Sequence, residues 1–204
     1  MTRIGIFDYG AGNLHSLVKA IERDGRSVFV DTDIRSALKA DILILPGVGA
    51  FGAAVTAMDG AQTYVRAALA DGKPCLGVCL GMQMLFDASE EASASEAGIG
   101  FIPGRVTRLQ TPKVPHMGWN EVEWVDLRTT LARTKMRAAY FANTYVCQPE
   151  DNSRVLAWTT HQDVRFPSVV RAANTIGVQF HPEKSSASGR AFVHGVLDEL
   201  LQCK

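Results

Sequence analysis

Cys79 stands within Gly77-Val78-Cys79-Leu80-Gly81, the spacing of a nucleophile elbow with cysteine in place of serine. A strand that turns straight into a helix brings two backbones together two residues before and two after the nucleophile, so glycine fits there. The apolar run before Cys79 reads as a strand, and Leu80 to Phe86 as the first turns of a helix. Such a turn exposes the thiol at the carboxyl end of a sheet, where free helix N–H groups favour a thiolate. A cysteine nucleophile needs a base, and His181 is the candidate, in Gly177-Val178-Gln179-Phe180-His181-Pro182-Glu183-Lys184-Ser185. Val178 to Phe180 alternates like a strand, and Pro182 is expected to hold the chain extended. On an extended segment His181 and Glu183 share a side. The imidazole then faces Cys79 while the carboxylate orients its other nitrogen. A lone strand-end histidine usually satisfies a backbone carbonyl; the elbow is what makes this one a catalytic candidate.

These residues need a scaffold, and the 204 residues are enough for one sizeable core, read as a single domain over 1–204. Hydrophobic residues make up 47% and charged ones 21%, an ordinary balance for a soluble enzyme. Lys+Arg and Asp+Glu both number 21, with no dense basic run, which argues against nucleic acid or an anionic membrane as partner. No apolar stretch approaches the roughly 20 residues of a membrane span. The N-terminus enters a strand pattern directly, without signal-peptide anatomy. Cys75, Cys79, Cys147 and Cys203 are scattered, which fits a reducing cytoplasm better than a disulfide framework. Cys75 and Cys79 lack a second Cys/His pair at zinc spacing, so no metal site is expected.

Strand-like runs at Arg3 to Phe7, Ser27 to Val30, Asp41 to Leu45 and before Cys79 alternate with helical patterns near Leu14 to Asp24, Ala53 to Met58 and Tyr64 to Ala70. That alternation predicts a parallel sheet covered on both faces, with ligands at the carboxyl ends of its strands. Asp8-Tyr9-Gly10-Ala11-Gly12-Asn13 lacks the third glycine of a dinucleotide fingerprint and reads as a tight strand-to-helix turn. The acidic stretch Asp87 to Gly98 reads as a solvated connection. Beyond it, Val106 to Leu109, Asn120 to Val125, Ala139 to Val146, Val155 to Thr160 and Ser168 to Phe180 predict antiparallel strands, and Ser188 to Gln202 a closing helix.

An elbow cysteine followed far downstream by His-Pro-Glu resembles the class I (triad) glutamine amidotransferases. Further stretches resemble one subfamily, the glutaminase subunits of imidazole glycerol phosphate synthases: Asp8 to Leu14, Pro46-Gly47-Val48-Gly49-Ala50-Phe51-Gly52, Gly77 to Phe86, Ile102 to Val106, Val114-Pro115-His116-Met117-Gly118-Trp119-Asn120 and Gly177 to Ser185. The resemblance runs from residue 4 to the C-terminal helix. It implies a three-layer, flavodoxin-like α/β fold with a mostly parallel central sheet and an antiparallel extension.

The resemblance also implies chemistry. Cys79 attacks the side-chain amide of glutamine, His181 protonates the departing ammonia, water releases glutamate from the thioester, and Glu183 orients His181. The oxyanion would be held by the N–H of Leu80 and by the Gly47-Val48-Gly49 loop, with Gln83 and Glu91 holding the substrate; Glu90 is an alternative to Glu91. A β-branched Val48 resists positive φ, so the loop is expected to rest with its N–H turned away until a partner flips it. The implied partner is a (β/α)₈-barrel cyclase fed with ammonia, with Asn13, Met117, Trp119 and Tyr140 as interface candidates; composition alone would place Trp119 in the core as readily. No metal or organic cofactor is implied. Asn143, in Tyr140-Phe141-Ala142-Asn143-Thr144-Tyr145, stands where this family usually has histidine, and asparagine cannot titrate. The competing readings are a glutaminase subunit of another class I enzyme, a stand-alone peptidase of the same fold and a catalytically silent regulatory subunit.

Overall fold

The computed structural model describes residues 1–10, 14–23, 25–93, 96–134 and 136–202. The N-terminal half alternates as β1 (Thr2–Phe7), α1 (His15–Ile21), β2 (Arg26–Asp31), α2 (Ile34–Ala37), β3 (Ile42–Leu45), α3 (Phe51–Ala57), α4 (Gln62–Ala70), β4 (Cys75–Val78) and α5 (Leu80–Gln83). Strands follow: β5 (Ala88–Ser89), β6 (Gly104–Arg108), β7 (His116–Glu121), β8 (Glu123–Trp124), β9 (Ala138–Asn143), β10 (Tyr145–Pro149), β11 (Val155–His161), β12 (Val164–Ala172) and β13 (Thr175–Val178). Helix α6 (Ser186–Gln202) closes the chain.

The main sheet runs β2-β1-β3-β4-β13-β12-β11-β8. Its first five strands are parallel and the last three antiparallel, which is the mostly parallel sheet with antiparallel extension that the sequence predicts. β3 and β4 are uninterrupted apolar runs because both faces of the sheet are covered. On one face Ile4, Ile6, Ile44 and Val78 pack with Leu17 and Ile21 of α1 and with Phe192, Val196 and Leu200 of α6. On the other, Leu43 and Leu45 pack with Ile34, Phe51, Val55, Val65 and Leu69 from α2, α3 and α4. β1, β3, β4 and β13 all end at one edge, where the loops carrying Tyr9, Gly47, Cys79 and His181 emerge.

Several sequence expectations are corrected. α1 stops at Ile21, ahead of Gly25, which instead turns the chain with φ +83°. α5 is a single turn ending at Gln83, so it adds little macrodipole at Cys79. The run Ala139 to Val146 is two strands in different sheets: β9 pairs with β7, while β10 pairs with β6. Ser168 to Phe180 also splits, and β13 lies parallel to β4 rather than joining an all-antiparallel unit. The acidic stretch from Asp87 is partly ordered into the fold. β5 pairs with β6, Ser89 is buried, and Asp87 accepts from the Gly104 N–H at 2.8 Å.

Candidate active site

Cys79 holds a backbone few non-glycine residues adopt, φ +46° and ψ −103°. That strained turn between β4 and α5 marks a nucleophile elbow. A Cβ on Gly77 would sit 2.6 Å from the Gly81 carbonyl oxygen, as the elbow requires. Gly81 is needed for a different contact: its Cβ would collide with the Leu45 carbonyl of the neighbouring strand β3. The register that sets β13 beside β4 brings the second half of the site in. The Cys79 N–H donates to the Val178 carbonyl at 2.6 Å, three residues before His181.

His181 Nδ1 lies 2.8 Å from Glu183 Oε1, and both side chains are buried. The extended segment expected around Pro182 is not what sets this contact. Residues Pro182–Lys184 form a 3-10 turn, with His181 extended before it. The turn curls the carboxylate back under the ring, so the pairing arises by a tighter route than strand alternation. Burial alone would lower the His181 pKa, but the Cys79 thiolate, its hydrogen bond and Glu183 outweigh burial and push it up to about 10. Cys75 contrasts with this: fully buried and away from the site, its thiol is pushed up to about 12 by desolvation.

A cavity of about 310 Å³ opens over Cys79 and His181. Gly47, Val48, Gly49, Leu80, Gln83 and Glu91 line it, so these oxyanion and substrate candidates share one space. Leu80 is the first residue of α5, where an N–H has no intrahelical partner. Gly47 packs so closely that an added Cβ would lie 3.0 Å from Cys79 Cβ and 3.1 Å from His181 Cε1. Val48 does not adopt positive φ, whereas Gly49 does (φ +111°). The Tyr9 hydroxyl donates to the Pro46 carbonyl, tying the loop after β1 to the loop after β3. Burial, the nearby thiolate and Asp8 hold the Tyr9 phenol far above its usual range, opposed by the Val48 backbone N–H.

Glu91 accepts from the Phe51 N–H at 3.2 Å and faces the cavity. Glu90 instead accepts from the Arg108 N–H at 2.7 Å and does not line the cavity, which separates two residues the sequence leaves equivalent. Gln83 is more enclosed than a substrate ligand need be, with its amide donating to the Tyr145 carbonyl at 3.1 Å. The cavity wall also contains Ala142, Thr144, Tyr145 and Lys184, which the sequence reading does not single out. Lys184 follows the His-Pro-Glu motif directly, and that adjacency is the one local signal that pointed to it. Asn143 lines the cavity and donates to the Tyr145 carbonyl at 3.1 Å. Behind it lies His116, whose pKa falls to about 4 through burial and the neighbouring His161.

Of the interface candidates, Met117 is 64% and Trp119 54% exposed, side by side on β7, so Trp119 is a surface aromatic and not a core one. Tyr140 is half-buried opposite Trp119 in the β7–β9 pair. Asn13 lies outside the described residues. Among the described residues no group of three or more His, Cys, Asp or Glu side chains is placed to hold a metal ion, and no helix is long and apolar enough to cross a membrane.

Comparison with known proteins matches residues 5–195 to the glutamine amidotransferase class-I family. The imidazole glycerol phosphate synthase subunit HisH of Geobacillus thermodenitrificans is 42% identical over 203 residues, covering 95% of this chain and 94% of that protein. HisH of Bacillus subtilis is 39% identical over 199 residues, covering 93% of each. Among solved structures, a crystal structure of a glutamine amidotransferase has a TM-score of 0.73 at 18% identity, over 98% of each chain. That likeness bears on the fold alone, while the two relatives and the family match extend along nearly the whole sequence. The chain belongs to the class I glutamine amidotransferase family, in the branch of the imidazole glycerol phosphate synthase HisH subunits.

Proposed function

We propose that the chain is the glutaminase subunit of an imidazole glycerol phosphate synthase in histidine biosynthesis, and that Cys79, His181 and Glu183 are its catalytic residues. The observation that carries this reading is the buried His181–Glu183 pair facing a strained elbow cysteine at the floor of a cavity. The Cys79 thiolate attacks the side-chain carbonyl of glutamine. The developing oxyanion is received by the Leu80 N–H and, once the loop turns, by the peptide N–H of Val48. His181, as imidazolium, gives its proton to the departing nitrogen, so ammonia leaves and a thioester remains. Neutral His181 then takes a proton from water, hydroxide attacks the thioester, glutamate departs, and the thiolate–imidazolium pair is restored. Glu183 keeps Nδ1 protonated and Nε2 turned to the sulfur. Glu91 and Gln83 border the space for the glutamine main-chain groups.

Ammonia passes to a cyclase subunit, a (β/α)₈ barrel that combines it with a phosphorylated ribulosyl-formimino carboxamide nucleotide. Imidazole glycerol phosphate and an aminoimidazole carboxamide ribonucleotide are the products. Met117, Trp119 and Tyr140 supply part of the docking face. The free thiols Cys75, Cys79 and Cys147 suit a reducing cytoplasm.

Glutamate release from glutamine, measured with and without the cyclase subunit and its nucleotide ligand, tests the assignment. The expected result is activity that depends on the liganded partner. In Cys79→Ala it falls by roughly 10³-fold or more, as when one member of a triad acting as a unit is removed. No glutamate release in any combination would overturn the reading in favour of a binding-only subunit.

A further inference from the structure

Gln179 has no part in the elbow, the His-Pro-Glu motif or the cavity lining, yet its side chain is directed at the reacting sulfur. Its Nε2 lies 3.5 Å from Cys79 Sγ, and the residue is wholly buried. Its backbone N–H donates to the Ser168 carbonyl at 2.9 Å, which fixes where the side chain starts. The other end of the amide is also occupied. Gln83 Nε2 lies 3.5 Å from Gln179 Oε1 and 3.1 Å from the Tyr145 carbonyl oxygen, and Gln83 is nearly as buried.

This chain has a direction that chemistry sets. The Tyr145 carbonyl is only an acceptor, so the Gln83 end facing it must be the NH₂. The second N–H of that group then points to Gln179, which must present its oxygen there. Gln179 is left with its NH₂ toward Cys79. Flipping Gln179 would set two NH₂ groups against each other and bring a carbonyl oxygen against an anionic sulfur, both in a wholly buried place.

We propose that Gln179 is a positioning residue for the Cys79 thiolate, donating one side-chain N–H to Sγ, and that Gln83 aims it. The inference rests on the glutaminase reading for the purpose of the thiolate, not for the geometry. An N–H donor to an anionic sulfur stabilises the charged form and restrains the Cβ–Sγ rotamer, complementing the imidazolium on the other side. Once the sulfur is acylated its charge is gone and the bond weakens, so the interaction is spent on the attacking state. Gln83 thereby acts on the nucleophile through another amide as well as bordering the cavity.

Alkylation of Cys79 by iodoacetamide across pH, followed by mass spectrometry on the full-length chain, reads the thiolate without glutamine or partner. Gln179→Met is expected to slow alkylation at neutral pH by roughly tenfold, the usual weight of a hydrogen bond to a charged group, and to move the pH–rate midpoint upward. Gln179→Glu, which sets a carboxylate beside the sulfur, should move it further in the same direction. Gln83→Leu should move it the same way but less. Unchanged midpoints in folded Gln179→Met and Gln179→Glu would overturn the proposal.

A second measurement needs no change at Gln179. The side-chain ¹⁵N resonance of Gln179 should shift with pH in step with the alkylation midpoint and stop doing so in Cys79→Ala; a resonance indifferent to Cys79 would also overturn the proposal. Failure of the glutaminase reading looks different: the wild-type complex would release no glutamate, whatever the alkylation profiles.

Discussion

The backbone N–H of His181 donates to the carbonyl of Tyr140 at 2.8 Å. Tyr140 is the cross-strand partner of Trp119, and its own N–H donates to Ser185 Oγ at 2.9 Å, on the turn that follows His181. The β7–β9 pair that carries the exposed Met117 and Trp119 is thus bonded through main chain to the segment that carries His181. A subunit docking on that pair gains a short mechanical route to His181.

Trp119→Ala is therefore expected to weaken cyclase binding by roughly 2 kcal/mol, about 30-fold, as for an aromatic anchor at an interface. Stability of the isolated chain should change little, because the ring is 54% exposed. Titration calorimetry and thermal unfolding read the two effects separately. An unaltered Kd would remove Trp119 from the interface.

Glu183→Gln keeps a hydrogen-bonding partner near Nδ1 but removes the charge. His181 is raised to about 10 by the thiolate and Glu183 working against burial. In the proposed mechanism the acid form that protonates the leaving nitrogen therefore persists up to that pH in the wild type and is lost above it. Removing one raising cause shifts the loss to lower pH, so the alkaline limb of glutamine hydrolysis by the complex should move toward neutrality. A pH–rate profile of the variant with its alkaline limb in place would count against Glu183 as the orienter.

Gly47→Ala places a methyl 3.0 Å from Cys79 Cβ and from the Val78 carbonyl, and 3.1 Å from His181 Cε1. The Val78 carbonyl belongs to the sheet and cannot yield, so the loop must move away from the nucleophile. Glutamine turnover by the complex should drop at least roughly tenfold, since small misplacements of reacting groups are costly. Wild-type kcat would show that the loop tolerates the shift and does not form the site.

Val48→Gly removes the β-branched obstacle to positive φ. The penalty for an L-residue in that region is about 1–2 kcal/mol, so basal glutaminase activity of the isolated chain should rise on the order of tenfold. Steady-state glutamate release without partner is the measurement. A basal rate equal to that of the wild type would mean that something other than Val48 holds the loop.

Much of this site is legible in the linear chain because it rests on local sterics. Two glycines around Cys79 announce a strand that turns into a helix, and the apolar runs of β1, β3 and β4 announce strands covered on both faces. The spacing of His181 and Glu183 already places a carboxylate within reach of an imidazole, even though the path between them is a 3-10 turn and not a strand. What the sequence could not settle depends on residues far apart in the chain. Glu90 and Glu91 are alike until β5 and β6 pair and tie Glu90 to Arg108, leaving Glu91 at the cavity. Ala139 to Val146 reads as one strand until different partners claim its two halves. Gln179 looks like any polar residue at a strand end. It acquires a role only when parallel pairing of β13 with β4 sets its amide beside Cys79, while Gln83 and the Tyr145 carbonyl leave that amide a single orientation. Periodicity records which way a residue faces along its own element; which group it meets there is decided by the register between elements.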